Sequence, residues 1–139
     1  MSDRVCAAGV GEAAAVIDLW QVCGLTRPWN DPRDDFALAL AGSTSTILIV
    51  RDGEAIIGSI MVGFDGHRGW VYYLAVAVGH RRNGIGRTLM AAAEAWLRAR
   101  GAPKMQLMVR DGNVAALGFY AALGFERQEL VALGKFLKD

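Results

Sequence analysis

The chain predicts an α/β (α+β) fold: a mixed, mostly antiparallel central sheet with helices on both faces and one splayed parallel pair of strands. Three observations carry that expectation. Two β-rich apolar runs, Thr46 to Arg51 and Ala55 to Phe64, flank Asp52-Gly53, a strong hairpin signal, and a third run, Trp70 to Val78, follows a short turn. Apolar residues recur at helical spacing before and after this β-rich block. The order strand, helix of about four turns, strand between Trp70 and Val109 requires parallel neighbours joined by a right-handed crossover.

Taken in order, Arg4 to Ala8 reads as a short strand, broken by Gly9-Val10-Gly11. From Glu12 to Cys23, Val16, Leu19, Trp20 and Cys23 fall three and four apart, the spacing of an amphipathic helix, and Gly24 ends it. Pro28 and Pro32 exclude regular helix from Leu25 to Arg33, a loop in which Trp29 either lines a pocket or plugs the core. Asp34 to Ala41 forms a second helix, with Asp34 or Asp35 in its first turn offsetting the helix dipole, and Gly42 and Ser43 close it. Asp65-Gly66-His67-Arg68-Gly69 turns the chain from the second long strand into the third, completing a meander. Leu89, Met90, Ala93, Trp96 and Leu97 then repeat at helical spacing to Arg100, where Gly101 supplies the stop. Met105 to Val109 is a short strand, Val114 to Leu123 a helix capped by Gly124, and Phe125 to Leu137 is extended.

Residues 1–139 show no repeat, linker or low-complexity segment and read as one domain. With 53% hydrophobic and 21% charged residues the composition is that of an ordinary globular protein, and a net charge of +1 argues against a broad nucleic-acid-binding surface. Charged residues interrupt every apolar stretch well short of a membrane span, so the chain is expected to be cytoplasmic with no membrane partner. Cys6 and Cys23 lack metal-ligand spacing and are expected to be small buried residues; no metal is predicted. Monomer and homodimer are both open.

Chemistry concentrates in Arg81-Arg82-Asn83-Gly84-Ile85-Gly86-Arg87, where a strand meets a helix. Glycines there let backbone N–H groups converge at the positive end of the helix, and the arginines add fixed charge, which makes an anion cradle suited to more than one phosphate. A solvated glycine turn is an equal reading of those residues alone. The spacing and the lysine of a P-loop are absent, and Leu89 stands where a dinucleotide fingerprint needs its third glycine. At the junction of antiparallel and parallel pairing, splayed strands leave backbone groups open in a cleft, where a long amide-bearing ligand such as the pantetheine arm of coenzyme A could lie as an added strand.

The turn Arg81-x-x-Gly84-x-Gly86, followed by Asn113 and by Gly118-Phe119-Tyr120-x-x-Leu123-Gly124-Phe125, resembles the GCN5-related N-acetyltransferase (GNAT) family over nearly the whole chain. Arg27-Pro28-Trp29-Asn30-Asp31-Pro32 and the Asp65 to Gly69 turn more narrowly resemble a bacterial YpeA-type subfamily. The resemblance implies an acetyl-CoA-dependent enzyme that transfers an acetyl group to a primary amine of a small molecule or peptide, by direct attack through a tetrahedral intermediate. It implies that Leu74, Ala75 and Val76 pair with pantetheine and polarise the thioester carbonyl, and that Arg82 to Arg87, with Arg81 beside them, hold the pyrophosphate. Asn113 would reach the thioester end, and Tyr120 would be the general acid for the leaving thiolate. On their own merits Asn113 reads first as a helix N-cap and Tyr120 as a packed aromatic; the resemblance is what gives them these roles.

One position departs from the family pattern: Met108 stands where many members carry a glutamate base. Tyr72, Tyr73, Asp65 and His67 are the nearby replacements, unless the amine arrives already neutral. The same departure motivates an alternative, a non-catalytic acyl-CoA-binding or sensing module. Asp31, Asp34, Asp35 and Asp65 could attract a cationic amine, while Arg27 and Arg68 could hold a carboxylate.

Overall fold

The computed structural model describes residues 5–137, so the first residue of the expected opening strand, Arg4, lies outside the described residues. The chain forms two compact units, Met1–Met108 and Val109–Asp139. In the first, β1 (Val5–Ala7), a 3-10 turn (Val10–Glu12), α1 (Ala13–Val22), α2 (Pro32–Ala41), β2 (Ser45–Asp52), β3 (Ala55–Phe64), β4 (Gly69–Val76), a 3-10 turn (Val78–His80), α3 (Ile85–Ala99) and β5 (Met105–Gln106) follow in order. The sheet order is β1-β2-β3-β4-β5, antiparallel except for the parallel β4–β5 pair. Among the described residues no helix is long and apolar enough to cross a membrane.

Side-chain alternation along the strands sends successive residues to opposite faces. Ile47 and Ile49 of β2 pack with Val16, Trp20 and Phe36 beneath α1 and α2. On β3, Ser59 accepts a hydrogen bond from the Trp20 indole Nε1 at 3.0 Å, while its neighbour Gly58 faces α3. A Cβ at Gly58 would lie 2.8 Å from Ile85 Cγ2, and one at Gly69 only 2.5 Å from Leu97 Cδ1, so α3 rests directly on the sheet backbone. Ile85, Leu89, Met90, Ala93 and Leu97 form its buried stripe, and each large member contributes roughly 2 kcal/mol of transfer free energy. The helix closes in a Schellman motif, Gly101 N donating to Arg98 O and Ala102 N to Leu97 O, both at 3.1 Å.

Four expectations need correction. Helix α2 begins at Pro32 rather than Asp34, because proline fits the first helical position, where its missing N–H has no intrahelical acceptor to lose, and Asp31 Oδ1 caps Arg33 N at 2.9 Å. The fifth strand pairs over two residues only, Gly69 with Met105 and Trp70 with Gln106, and does not extend to Val109. Cys6 is exposed, because β1 is a three-residue edge strand that buries one face weakly; Cys23 is half-buried. Trp29 does not plug the core, being 55% exposed on its loop.

The second unit holds α4 (Val114–Ala122). Asn113 Oδ1 caps it by accepting from Ala116 N at 3.2 Å, and a Schellman motif ends it, with Gly124 N on Ala121 O and Phe125 N on Tyr120 O at 3.0 Å. No regular element follows Phe125 among the described residues.

Candidate active site

The residues expected to form an anion cradle lie at the β4–α3 junction. After the 3-10 turn, Arg82 adopts a left-handed conformation at φ +70°, and Gly84 does so at φ +79°, ψ 9°, as the N-cap of α3. Gly84 has no side chain to cap the helix, and the first intrahelical bond runs from Thr88 N to Gly84 O at 3.0 Å. The amides of the first turn, from Ile85 to Arg87, therefore have no intrahelical acceptor and sit at the positive end of a 15-residue dipole. Arg82, Asn83 and Arg87 are exposed around them, and Gly86 is half-buried within the turn. Arg81 turns back instead: its Nε donates to Val76 O at 3.1 Å and its Nη2 reaches Cys23 Sγ at 3.6 Å, anchoring the loop to the end of β4 and of α1.

Beside this turn the sheet opens. Past Trp70, the edge of β4 away from β3 pairs with no strand among the described residues. The pairing of β3 with β4 also slips there: Ser59 faces Ala75 and Met61 faces Tyr72, so Tyr73 and Leu74 together oppose Ile60. This is a β-bulge, with Tyr73 left-handed at φ +54°. The extra residue reverses the alternation. Gly69 packs under α3, yet Tyr73 and Ala75, at even offsets from it, join the core under α1 and α2. Leu74, Ala75 and Val76, the predicted thioester-facing segment, follow immediately. An open strand edge ending at an uncapped, arginine-flanked helix N-terminus fits the amide arm and diphosphate of coenzyme A.

The four base candidates differ in fitness. Asp65 Oδ1 accepts from both His67 N and Arg68 N at 2.7 Å; these two bonds hold the carboxyl below the ordinary aspartate range and make it a weak base. Burial pushes the Tyr72 phenol up, and the negative charge of Asp65 adds to the shift. Tyr73 is pushed up to about 12, first by burial and then by its hydrogen bond to Asp35, so it is a standing donor. His67 is exposed, with its Nδ1 3.4 Å from the Arg68 guanidinium. Met108 is 58% exposed and contributes no titratable group.

Sequence reasoning missed the surroundings of Tyr73. Its ring stacks on Trp20 at 3.9 Å and 7°, its hydroxyl donates to Asp35 Oδ2 at 2.6 Å, and Asn30 Nδ2 donates to the same oxygen at 2.9 Å. The available signal was the adjacent pair Tyr72-Tyr73, two bulky aromatics where strict alternation allows one inward position.

In the second unit, Tyr120 is half-buried between Phe119, centroid 5.0 Å away, and Phe125 at 5.8 Å, both edge-on. Burial raises its pKa, which keeps the phenol protonated. Asn113, seven residues earlier, uses Oδ1 as the N-cap; its Nδ2 remains a donor. Among the described residues no three His, Cys, Asp or Glu side chains gather as a metal site.

Residues 14–125 match the family model described as "Acetyltransferase (GNAT) family". An acetyltransferase of Yersinia enterocolitica is 44% identical over 122 residues, 88% of this chain and 86% of that protein. One from Pectobacterium atrosepticum is 45% identical over 123 residues, 88% of this chain and 87% of its own. An aminoglycoside N-acetyltransferase, solved with a CoA-linked acetylneamine bisubstrate analogue, shares the fold with a TM-score of 0.82 at 17% identity, covering 96% of this chain and 97% of its own.

Proposed function

Because the chain belongs to the GNAT family of acetyltransferases, we propose that it moves the acetyl group of acetyl-CoA to a primary amine of a small molecule or peptide, by direct attack of the amine on the thioester. The observation that carries this reading is the left-handed turn at Arg82 and Gly84, which delivers an uncapped helix N-terminus beside the open edge of β4. Bound acetyl-CoA supplies an activated acyl carbon. The chain's own part is to hold, orient and donate. Amides at Ile85 to Arg87, with Arg82 and Arg87, hold the diphosphate. Backbone groups of Leu74, Ala75 and Val76 align the pantetheine arm and offer a donor to the charge that develops on the carbonyl oxygen. Tyr120, protonated because it is half-buried, serves as the acid toward the departing sulfur, and Asn113 Nδ2 assists near the thioester.

With Asp65 held acidic and Tyr72 and Tyr73 held neutral, the exposed His67 is the candidate base that remains of the four, and an amine that arrives deprotonated needs none. The enzyme that shares the fold is named as an aminoglycoside N-acetyltransferase, which supports a small-molecule acceptor here. The test is thiol release from acetyl-CoA across a panel of aminoglycosides, polyamines, amino acids and peptides. Turnover that rises with pH as the acceptor amine loses its proton supports direct attack. Failure of every amine to accelerate release above hydrolysis would refute the proposal.

A further inference from the structure

The bulge in β4 holds a tyrosine in a backbone conformation that a bulky residue adopts only under constraint. Three elements over-determine it. From α1, Trp20 stacks flat on the Tyr73 ring, and Trp20 is itself held by the fully buried Ser59 of β3. From α2, Asp35 Oδ2 takes the Tyr73 hydroxyl at 2.6 Å, the separation of a strong hydrogen bond to a carboxylate. From the loop between the helices, Asn30 Nδ2 fixes that same oxygen at 2.9 Å. The carboxylate is thus oriented before it orients the phenol. Between Tyr72 and Ala75 the register leaves Tyr73 and Leu74 to share one partner, Ile60, so the direction in which Leu74 and the strand beyond it leave the bulge depends on how far Tyr73 is turned.

Resting on the reading of this chain as an acetyltransferase, we infer that Asp35 is a positioning residue: by clamping Tyr73 in the bulge it aims the Leu74 to Val76 backbone at the acyl group, and it touches neither cofactor nor amine itself. The clamp has a distinct kinetic signature. Diphosphate binding depends on a turn eight or more residues further along, so cofactor affinity should survive loss of the clamp, while alignment of the carbonyl donor should not.

The test compares Asp35→Ala, Tyr73→Phe and the double variant, in the full chain. Tyr73→Phe keeps the ring that stacks on Trp20 and removes only the hydroxyl. Each single variant is expected to lower kcat about tenfold or more with the acetyl-CoA dissociation constant within about threefold of the parent, and the double variant to be no worse than either single one. In the ligand-free chain, hydrogen exchange of the segment from 71 to 77 is expected to quicken about tenfold in both single variants. Unchanged exchange in that segment overturns the inference whether or not the chain turns over, and so does a multiplicative loss in the double variant. Absence of thiol release by the parent chain would count instead against the proposed activity, leaving the exchange result to decide the clamp.

Discussion

Replacing Gly84 by alanine puts a number on the anion cradle. At φ +79°, ψ 9° an L-residue in the left-handed basin is disfavoured by about 1–2 kcal/mol relative to glycine, and no atom lies within 4 Å of the position the new Cβ would take, so no clash adds to that figure. The loop has little room to relax. Ile85, one residue on, is 3% exposed, and Gly84 O accepts both Thr88 N and Thr88 Oγ1 at 3.0 Å. The strain should therefore appear mainly as lost global stability, about 1–2 kcal/mol, or a melting temperature lower by roughly 5 °C. Any part that the free loop escapes by leaving the left-handed basin must be restored on binding and will surface as weaker affinity, at tenfold per 1.4 kcal/mol. The two losses together should total the same 1–2 kcal/mol. Urea unfolding and calorimetric titration with acetyl-CoA measure them separately, and Gly84→Asn should recover part of the loss, since asparagine tolerates this region better than alanine. If Gly84→Ala leaves both stability and affinity at the parent values, the left-handed turn is not what shapes the cradle.

Four further outcomes follow from the same geometry. Tyr120→Phe should lower kcat by about a hundredfold or more with acetyl-CoA affinity retained; an unchanged kcat removes Tyr120 from the acid role. Arg82→Gly should relieve a left-handed non-glycine residue and raise stability by about 1 kcal/mol while weakening acetyl-CoA binding, so the two measurements should move in opposite directions. Ser59→Ala strips the acceptor from the buried Trp20 indole and should cost about 1–3 kcal/mol in urea unfolding. Asp65 has a folded pKa below its unfolded one, so its contribution is present above the unfolded pKa and is lost as pH falls through the folded value; Asp65→Asn should flatten the acid limb of the stability profile relative to the parent, and coincident limbs would contradict the assigned hydrogen bonds.

What could be read in advance was whatever local chemistry dictates. Gly101 and Gly124 stop their helices through the expected terminal hydrogen bonds, and the hairpin forms one residue on from the expected Asp52-Gly53, with Asp52 facing Ala55 across the two-residue loop Gly53-Glu54. Strand order followed from connection length, which is why the parallel pair fell where the crossover helix required it. The start of α2 was also legible: proline breaks a helix interior, but directly after a capping aspartate Pro32 is a first-turn residue. Of the bulge only a break in alternation at Tyr72-Tyr73 was legible; its register was not, because an inserted residue is defined by its partner strand, and β4 alone carries no record of Ile60 opposite. Nor was the bond between Asp35 and Tyr73, which closes a separation of 38 residues and depends on the tilt of α2 over the sheet. At the candidate site the left-handed turn before α3 was legible from Gly84. The N-cap reading of Asn113 was legible from its place before α4, but the role of Arg81 was coarser, since a guanidinium folded back onto Val76 O is visible only in three dimensions.

The short β4–β5 pairing has a side that concerns solution behaviour. A strand flank with free N–H and C=O groups will template any extended polypeptide that reaches it, and such flanks seed self-association. Two features blunt that hazard here: the open stretch is only a few residues long, and the kink at Tyr73 twists the ribbon so that a flat intruder loses register partway along. On the proposed reading a bound pantetheine arm would also seal that gap, so the same opening would serve as both the vulnerability and the groove.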